Sequence, residues 1–450
     1  MTPTKLASAC SLLASCCLFI ASPAGAADQV IVNAFGSPGS LTDFINLFEL
    51  FNNGLYWTEG SADCSVEFKS FTKIGNLGVL GATPLEVLSD CTVVMPGITR
   101  DDSWFFYSNA GRLWRKAANS TPSDAPQEIP APPFTPLGAG MEMGAMMNWN
   151  GRIYWSDTTS GFFDIMSMNA DTTGIRYELL GTGNKIVKLV GYTYTSGFLG
   201  SPVDAFFILT AAGVLMRYDV NPRAASIVTL ATGVTDFAIR EESFTAFPFF
   251  SRSTGVYAAI GERTGLQPTT PPGKVIRINA ASGATSVVYN AQLQNQVTSI
   301  AVDVNNLYLV EQPIVGCGEL FGCFLGTSSS LRRQQNPANN GNSSNPWDLI
   351  DFNSSTIFNL RSDTQWLYFI VGTQILRVRT DAPALQIDVK ADALEVVQTV
   401  QNLQNDVRLV ANKPTFVRGY AHLTVNTTGR ESWFPGAHLR GFLNGSELPG

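Results

Sequence analysis

Leu55-Tyr56-Trp57 is answered along the chain by Trp104-Phe105-Phe106-Tyr107, Ile153-Tyr154-Trp155, Phe206-Phe207-Ile208, Val256-Tyr257, Leu307-Tyr308-Leu309 and Leu367-Tyr368-Phe369. With Tyr56, Phe106, Tyr154, Phe207, Tyr257, Tyr308 and Tyr368 aligned, the spacings are 50, 48, 53, 50, 51 and 60 residues. A period of that size marks a repeat architecture, in which one small unit cannot bury its apolar faces alone and stacks on its neighbours.

Working outward, each run is followed by a second element: Gly111-Arg112-Leu113-Trp114-Arg115, Gly213-Val214-Leu215-Met216-Arg217, Gly273-Lys274-Val275-Ile276-Arg277 and Gln374-Ile375-Leu376-Arg377, with looser versions at Asp164-Ile165-Met166-Ser167 and Ser330-Leu331-Arg332. A third apolar stretch precedes each run, as in Val234-Thr235-Asp236-Phe237-Ala238-Ile239, and a fourth follows, as in Ser286-Val287-Val288-Tyr289. Short β-branched and aromatic runs between Gly, Asn, Asp and Pro turns read as strands. Four strands per unit make a propeller blade. The fold class expected is therefore all-β, a seven-bladed β-propeller over residues 28–381, with Gln29–Phe35 completing the last sheet so that no long edge stays open.

The repeats resemble a known family. Leu55-Tyr56-Trp57-Thr58-Glu59 and Ile153-Tyr154-Trp155-Ser156-Asp157, the latter followed by Ile165-Met166-Ser167-Met168-Asn169, are similar to the YWTD repeats of lipoprotein-receptor propellers and their bacterial relatives. The likeness is clear in blades one and three and degenerates elsewhere, and that family usually closes six blades, not seven. It implies propeller geometry and protein binding; it carries over no catalytic residue.

From residue 385 to 450 the pattern changes. Val396-Val397-Gln398-Thr399-Val400-Gln401, then Lys413-Pro414-Thr415-Phe416-Val417-Arg418-Gly419-Tyr420, resembles the opening of an immunoglobulin-like module of large exported bacterial proteins, with Val397 in place of the usual Thr and Gly419 in place of the usual Val. Such a sandwich needs ~100 residues, so a partial, truncated β-sandwich is expected here.

Residues 1–26 read as a secretory signal: Lys5, an apolar run from Leu6 to Ile20, and small residues Ala24-Gly25-Ala26 before the cut. Export to the periplasm or beyond follows. Leu13-Ala14-Ser15-Cys16 also fits a lipoprotein box, but the apolar run continues past Cys16, which argues against anchoring there. No other segment offers the ~20 apolar residues of a membrane span. In an oxidising compartment Cys64, Cys91, Cys317 and Cys323 are expected in disulfides; four cysteines allow three connectivities, and proximity favours Cys64–Cys91 and Cys317–Cys323.

Net charge is −7 and 14% of residues are charged, with no basic stripe, so nucleic acid is not an expected partner. The two histidines, His422 and His438, lie beyond the propeller, which removes Ser–His and Cys–His mechanisms from the ring. No nucleophile elbow, phosphate-binding glycine loop or zinc helix is present. No metal or cofactor is expected, and Met141, Met143, Met146 and Met147 read as flexible packing.

Two periodic sets read as structural. Arg115, Arg217, Arg277 and Arg377 recur at one position and should pair with carbonyls or acids between blades. Asp101-Asp102, Glu241-Glu242, Asp303 and Asp363 are expected between first and second strands, as polar hairpin tips. The candidate binding surface is the face bearing the loops between second and third strands: Glu59, Asp157, Glu262, Arg263, Glu311 and Gln312 around the channel, with the long 311–329 loop. The function expected is an exported, non-enzymatic scaffold binding a protein or glycan at the bacterial cell envelope. The alternative is an accessory module of a larger secreted, peptidase-like hydrolase whose catalytic domain is absent from this chain.

Overall fold

The computed structural model describes residues 29–34, 44–52, 54–60, 73–78, 82–89, 97–109, 112–130, 145–157, 164–179, 181–195, 201–221, 227–246, 249–261, 273–291, 295–318, 322–326, 328–335, 347–353, 355–385, 387–397, 416–426, 442–443 and 446–447. The chain divides into two compact units, residues 28–383 and residues 384–450 with 1–27.

The first unit is a seven-bladed β-propeller, with no helix among the described residues. It opens with β1 (Gln29–Asn33). Blade one is β2 (Phe44–Phe51), β3 (Gly54–Gly60), β4 (Lys73–Leu77) and β5 (Leu85–Ser89); blade two is β6 (Ile98–Arg100), β7 (Trp104–Asn109), β8 (Arg112–Ala117) and β9 (Gln127–Glu128). Blade three is β10 (Met146–Trp149), β11 (Arg152–Asp157), β12 (Asp164–Asn169) and β13 (Arg176–Leu179); blade four is β14 (Ile186–Thr195), β15 (Pro202–Thr210), β16 (Leu215–Asn221) and β17 (Val228–Ala231). Blade five is β18 (Val234–Ala246), β19 (Phe249–Ile260), β20 (Lys274–Asn279) and β21 (Thr285–Asn290). Blade six is β22 (Asn295–Val302), β23 (Asn306–Gly318), β24 (Gly322–Leu325), β25 (Ser329–Gln335) and β26 (Trp347–Asn353); blade seven is β27 (Ile357–Ser362), β28 (Trp366–Val371) and β29 (Gln374–Arg379). Each blade is an antiparallel meander, and β1 adds to the outside of the seventh in the order β1-β29-β28-β27. The first strand thus clasps the last blade, Gln29 opposite Arg377 and Asn33 opposite Gln374.

The second strand of each blade explains the repeat. Successive side chains of a strand point to opposite faces, and here both faces are covered by a neighbouring blade. Leu55 and Trp57 pack into the cluster shared by blades seven and one, whereas Tyr56 packs into the one shared by blades one and two. Phe106 faces blade three while Phe105 and Tyr107 face blade one. Tyr368 closes the circle against Phe48 and Trp57, with Val32 of the clasp in the same cluster. Seven such apolar clusters occupy the seven junctions. A strand buried on both sides reads as a continuous apolar run, which is why the aromatic triplets stand out in the sequence.

The periodic polar residues have structural partners. Asp101, Asp303 and Asp363 each accept two backbone N–H groups of their own hairpin at 2.6–2.7 Å. The repeat tyrosines Tyr308 and Tyr368 donate to Asp303 at 2.6 Å and Asp363 at 2.9 Å. Glu241-Glu242 departs from the expected place: it lies inside β18, not at a hairpin tip, because blade five's first hairpin is longer than the others. Glu242 is buried and accepts from Tyr257 at 2.6 Å and from Arg277 Nε at 2.9 Å. Among the recurrent arginines, Arg217 crosses to the carbonyls of Ala280 and Ala281 on blade five. Arg115 and Arg377 stay within their own sheets, stacked 4.4 Å over Trp104 and 3.9 Å over Trp366.

The stretch 311–329 was expected as a loop. Instead β23 runs on to Gly318 and folds back as β24, a ribbon in which Cys317 lies opposite Cys323. Backbone pairing continues past the blade, with Ile314 opposite Leu325 and Val315 opposite Phe324. The second unit contains β30 (Ile387–Val397) paired with β31 (Phe416–Asn426), and a short ribbon of β32 (Phe442–Leu443) with β33 (Ser446–Glu447). His422 Nδ1 lies 2.7 Å from an Asp392 carboxylate oxygen across the longer pair.

Candidate functional site

The first strands of the blades, β2, β6, β10, β14, β18, β22 and β27, line a central channel. It consists of two chambers of about 440 and 400 Å³. The larger opens among the hairpins that join first to second strands. The smaller lies toward the N-terminal ends of the first strands, lined by residues such as Leu47, Gly97, Ala145 and Thr235. Glu49, Met146, Lys188, Leu189 and Arg361 line both, and so form the waist between them.

Two ion pairs set the chemistry of that waist. Glu49 and Arg361 are level with the repeat aromatics, opposite Tyr56 and Tyr368. Arg361 Nε donates to Glu49 Oε2 at 2.8 Å and its Nη2 to Oε1, a bidentate contact linking blade seven to blade one. Lys188 and Asp236 stand two residues deeper, opposite Leu209 and Ala259. Lys188 Nζ donates to Asp236 Oδ1 at 2.6 Å and to the Phe237 carbonyl at 2.7 Å, joining blades four and five. Asp236 also accepts from Phe237 N at 2.8 Å, from Ser299 Oγ at 2.9 Å and from Ile300 N at 3.0 Å, which brings in blade six.

The titration of these groups follows from burial and pairing. Burial pulls the Lys188 ammonium below its ordinary range, and Asp236 only partly opposes this. Burial alone would push Asp236 up, but Lys188, Arg361 and the Ile300 N–H outweigh it and hold the carboxyl low. For Arg361, burial lowers the guanidinium while Glu49 and Asp236 raise it further, so it stays charged. The two pairs feel each other across the channel: Lys188 senses both Arg361 and Glu49. Their charges cancel within the site.

Above the waist the lining of the larger chamber includes the partly buried aromatics Phe51, Trp149 and Tyr192, with Tyr56 and Phe237 buried behind them in the inter-blade clusters. Trp149 lies against Gly191 of the next blade so closely that a Cβ there would come within 2.2 Å of the indole. Arg100 also lines this chamber, but its guanidinium sits 4.3 Å over the Phe51 ring and donates to Asn76 Oδ1 at 2.9 Å. Blades four and five raise one side of the mouth. Beyond Gly191 and Ile239, the positions equivalent to Leu50, pairing continues for four residues to Thr195 and seven to Ala246, whereas blade one turns after Phe51. At ~3.4 Å per residue these ribbons overhang by roughly 14 and 24 Å.

The residues singled out from sequence sit elsewhere. Glu59 on β3 is buried and accepts from Trp57 Nε1 at 2.6 Å. Glu311 on β23 is buried between Tyr289 OH and Arg332 Nε, each at 2.6 Å. Gln312 donates to the Gly326 carbonyl at 3.3 Å. These three are held inside blades and line neither chamber. Asp157 ends β11 opposite Asp164. Glu262, Arg263, Cys64, Cys91 and residues 1–26 lie outside the described residues. The waist residues were visible only as lone charges in apolar first-strand runs, Phe44-Ile45-Asn46-Leu47-Phe48-Glu49 and Ile186-Val187-Lys188-Leu189 among them.

Fold and channel together define a seven-bladed propeller with a polar waist and an aromatic outer chamber. No family model matches the chain, and no curated protein matches it. Solved structures do. The extracellular domain of a putative one-component system from B. thetaiotaomicron aligns at TM-score 0.46 and 9% identity, over 81% of this chain and 43% of that one. A Mycobacterium tuberculosis puromycin-hydrolyzing peptidase aligns at TM-score 0.46 and 13% identity, over 82% and 58%. The nidogen/laminin complex gives TM-score 0.31 and 14% identity over 59% and 86%. These are similarities of fold.

Proposed function

We propose that the protein is an exported, non-catalytic scaffold that captures a protein or glycan at the bacterial cell envelope, and that its ligand enters the larger chamber. The observation that carries this reading is the chamber itself: a concave site of about 440 Å³ with aromatic residues in its lining and a few convergent polar groups, the usual form of a ligand site. Absence of catalysis is supported by the state of its carboxylates. Asp236 is engaged by four donors and Glu49 by a bidentate arginine, so neither is placed as a free acid or base. The likeness to YWTD repeats and to an immunoglobulin-like segment, and the leader-like residues 1–26, favour an exported binding protein.

The test uses the immobilised chain and solubilised cell-envelope material. Ala238 lines the chamber at the edge of the apolar cluster between blades five and six, and Ala238→Trp adds an indole there without removing a side-chain hydrogen bond. Capture by the wild type that is lost in Ala238→Trp is the expected result. Equal capture by both proteins, with equal unfolding midpoints, would overturn the assignment of the chamber. N-terminal sequencing of the exported protein should find the chain starting after Ala26.

A further inference from the structure

Resting on that reading of the chamber, we propose that its ligand is an uncharged carbohydrate. The argument begins with what the floor refuses. An anion could gain the full charge of Arg361 or Lys188 only by weakening their pairs with Glu49 and Asp236, and a cation could gain Glu49 only by displacing Arg361; Arg100, the third cation of the lining, is 8% exposed and engaged with the Phe51 ring, Asn76 Oδ1 and the Asp101 carbonyl. Parting either partly buried pair leaves an uncompensated charge, so a charged ligand that displaces a partner meets a penalty that a neutral one does not.

What the floor offers is a set of unspent hydrogen-bond sites without net charge. Asp236 is saturated. Glu49 is 37% exposed and Arg361 23% exposed at the side chain, and each retains bonding capacity beyond their mutual contact. Lys188 holds one donor more than its two contacts use. The waist therefore offers donors from Arg361 and Lys188 beside an acceptor, Glu49, which suits vicinal hydroxyls that donate and accept together. Above this floor the lining includes the partly buried Trp149, Tyr192 and Phe51. A pyranose has this dual character: a rim of hydroxyls and C–H faces that lie on aromatic rings. Peptides offer fewer alternating groups and carry charged termini. The one-sided overhang of blades four and five leaves the rest of the mouth low, so that an oligomer can leave the chamber sideways while one end is held.

The test presents the whole protein to an array of immobilised neutral oligosaccharides, glucose, mannose and galactose oligomers, beside uronate-containing and sulfated ones, at low and high salt. The expected result is retention of at least one neutral oligomer, unchanged by salt, and weakened by about tenfold or more in Ala238→Trp. Glu49→Gln supplies an independent arm, since it frees Arg361 of its counter-charge: this variant should gain salt-sensitive retention of uronate oligomers. Wild-type retention of acidic oligomers alone, or of no neutral oligomer, would overturn the inference. If envelope protein is still captured through the chamber in that case, the carbohydrate assignment fails while the scaffold reading stands. Capture indifferent to Ala238→Trp removes both.

Discussion

Replacing Asp236 by Asn tests the waist most directly. The carboxylate accepts four hydrogen bonds, two on each oxygen: Lys188 Nζ and Phe237 N on Oδ1, Ser299 Oγ and Ile300 N on Oδ2. An amide that turns its NH₂ toward Lys188 and Phe237 N loses two bonds, and one that turns it toward Ser299 and Ile300 N loses the Ile300 bond while the hydroxyl can accept instead; in both cases Lys188 is left without its counter-ion. Breaking a fully buried pair costs about 3–5 kcal/mol; with side chains 22% and 14% exposed, solvent reduces this to about 2–4 kcal/mol. Lys188→Met alone should cost less, about 1–2 kcal/mol, because Asp236 keeps three donors. The double variant should then be more stable than the sum of the two losses implies, by about 1–2 kcal/mol of coupling. Urea unfolding followed by tryptophan fluorescence measures all four proteins. Losses that add within about 0.5 kcal/mol, or an Asp236→Asn variant as stable as the wild type, would refute the view that this pair ties blades four, five and six together.

The pH dependence has a definite sign. The Asp236 carboxyl is held below its ordinary range, so its contribution is complete above the unfolded value near 3.9 and is lost as pH falls through the lower folded value. Acid titration of the unfolding midpoint should therefore show a drop in the wild type that Asp236→Asn lacks. Val32 of the clasp is buried in the cluster between blades seven and one, and Val32→Asp should lower stability by at least the ~1.5–3 kcal/mol of a buried valine, read as a shifted urea midpoint and new proteolysis near the chain start. Cys317 and Cys323 lie opposite each other in the β23–β24 ribbon, and peptide mapping of the protein purified without reductant should recover them linked; so short a loop should add about 2 kcal/mol, and separate free thiols would contradict the pairing.

The parts legible in the sequence were those with sevenfold redundancy. Tyr56 and its six equivalents sit at one place because every second strand is buried on both faces, so any single degenerate blade is corrected by the rest. The β1 clasp was legible for a related reason, since a closed ring must satisfy its last edge. Features belonging to one blade were not. The long β18–β19 ribbon moved Glu242 from an expected hairpin tip into the sheet, because alternating residues such as Thr245 and Ser251 read equally as turn or strand. Glu59 and Glu311 looked like exposed acids, but their partners, the Trp57 indole and Tyr289 with Arg332, depend on cross-strand register and packing that one strand does not reveal. Glu49, Lys188, Asp236 and Arg361 are scattered over 313 positions; only ring closure brings them to one axis.

The clasp also orders events in time. Gln29 is made early, and its partner Arg377 follows after all the intervening blades. During synthesis the opening strand has no place to dock, and its apolar residues must remain uncommitted or be shielded until the final blade arrives. Completion of the wheel is therefore a late, all-or-nothing step, and a chain interrupted before β29 would retain its front blades yet never lock.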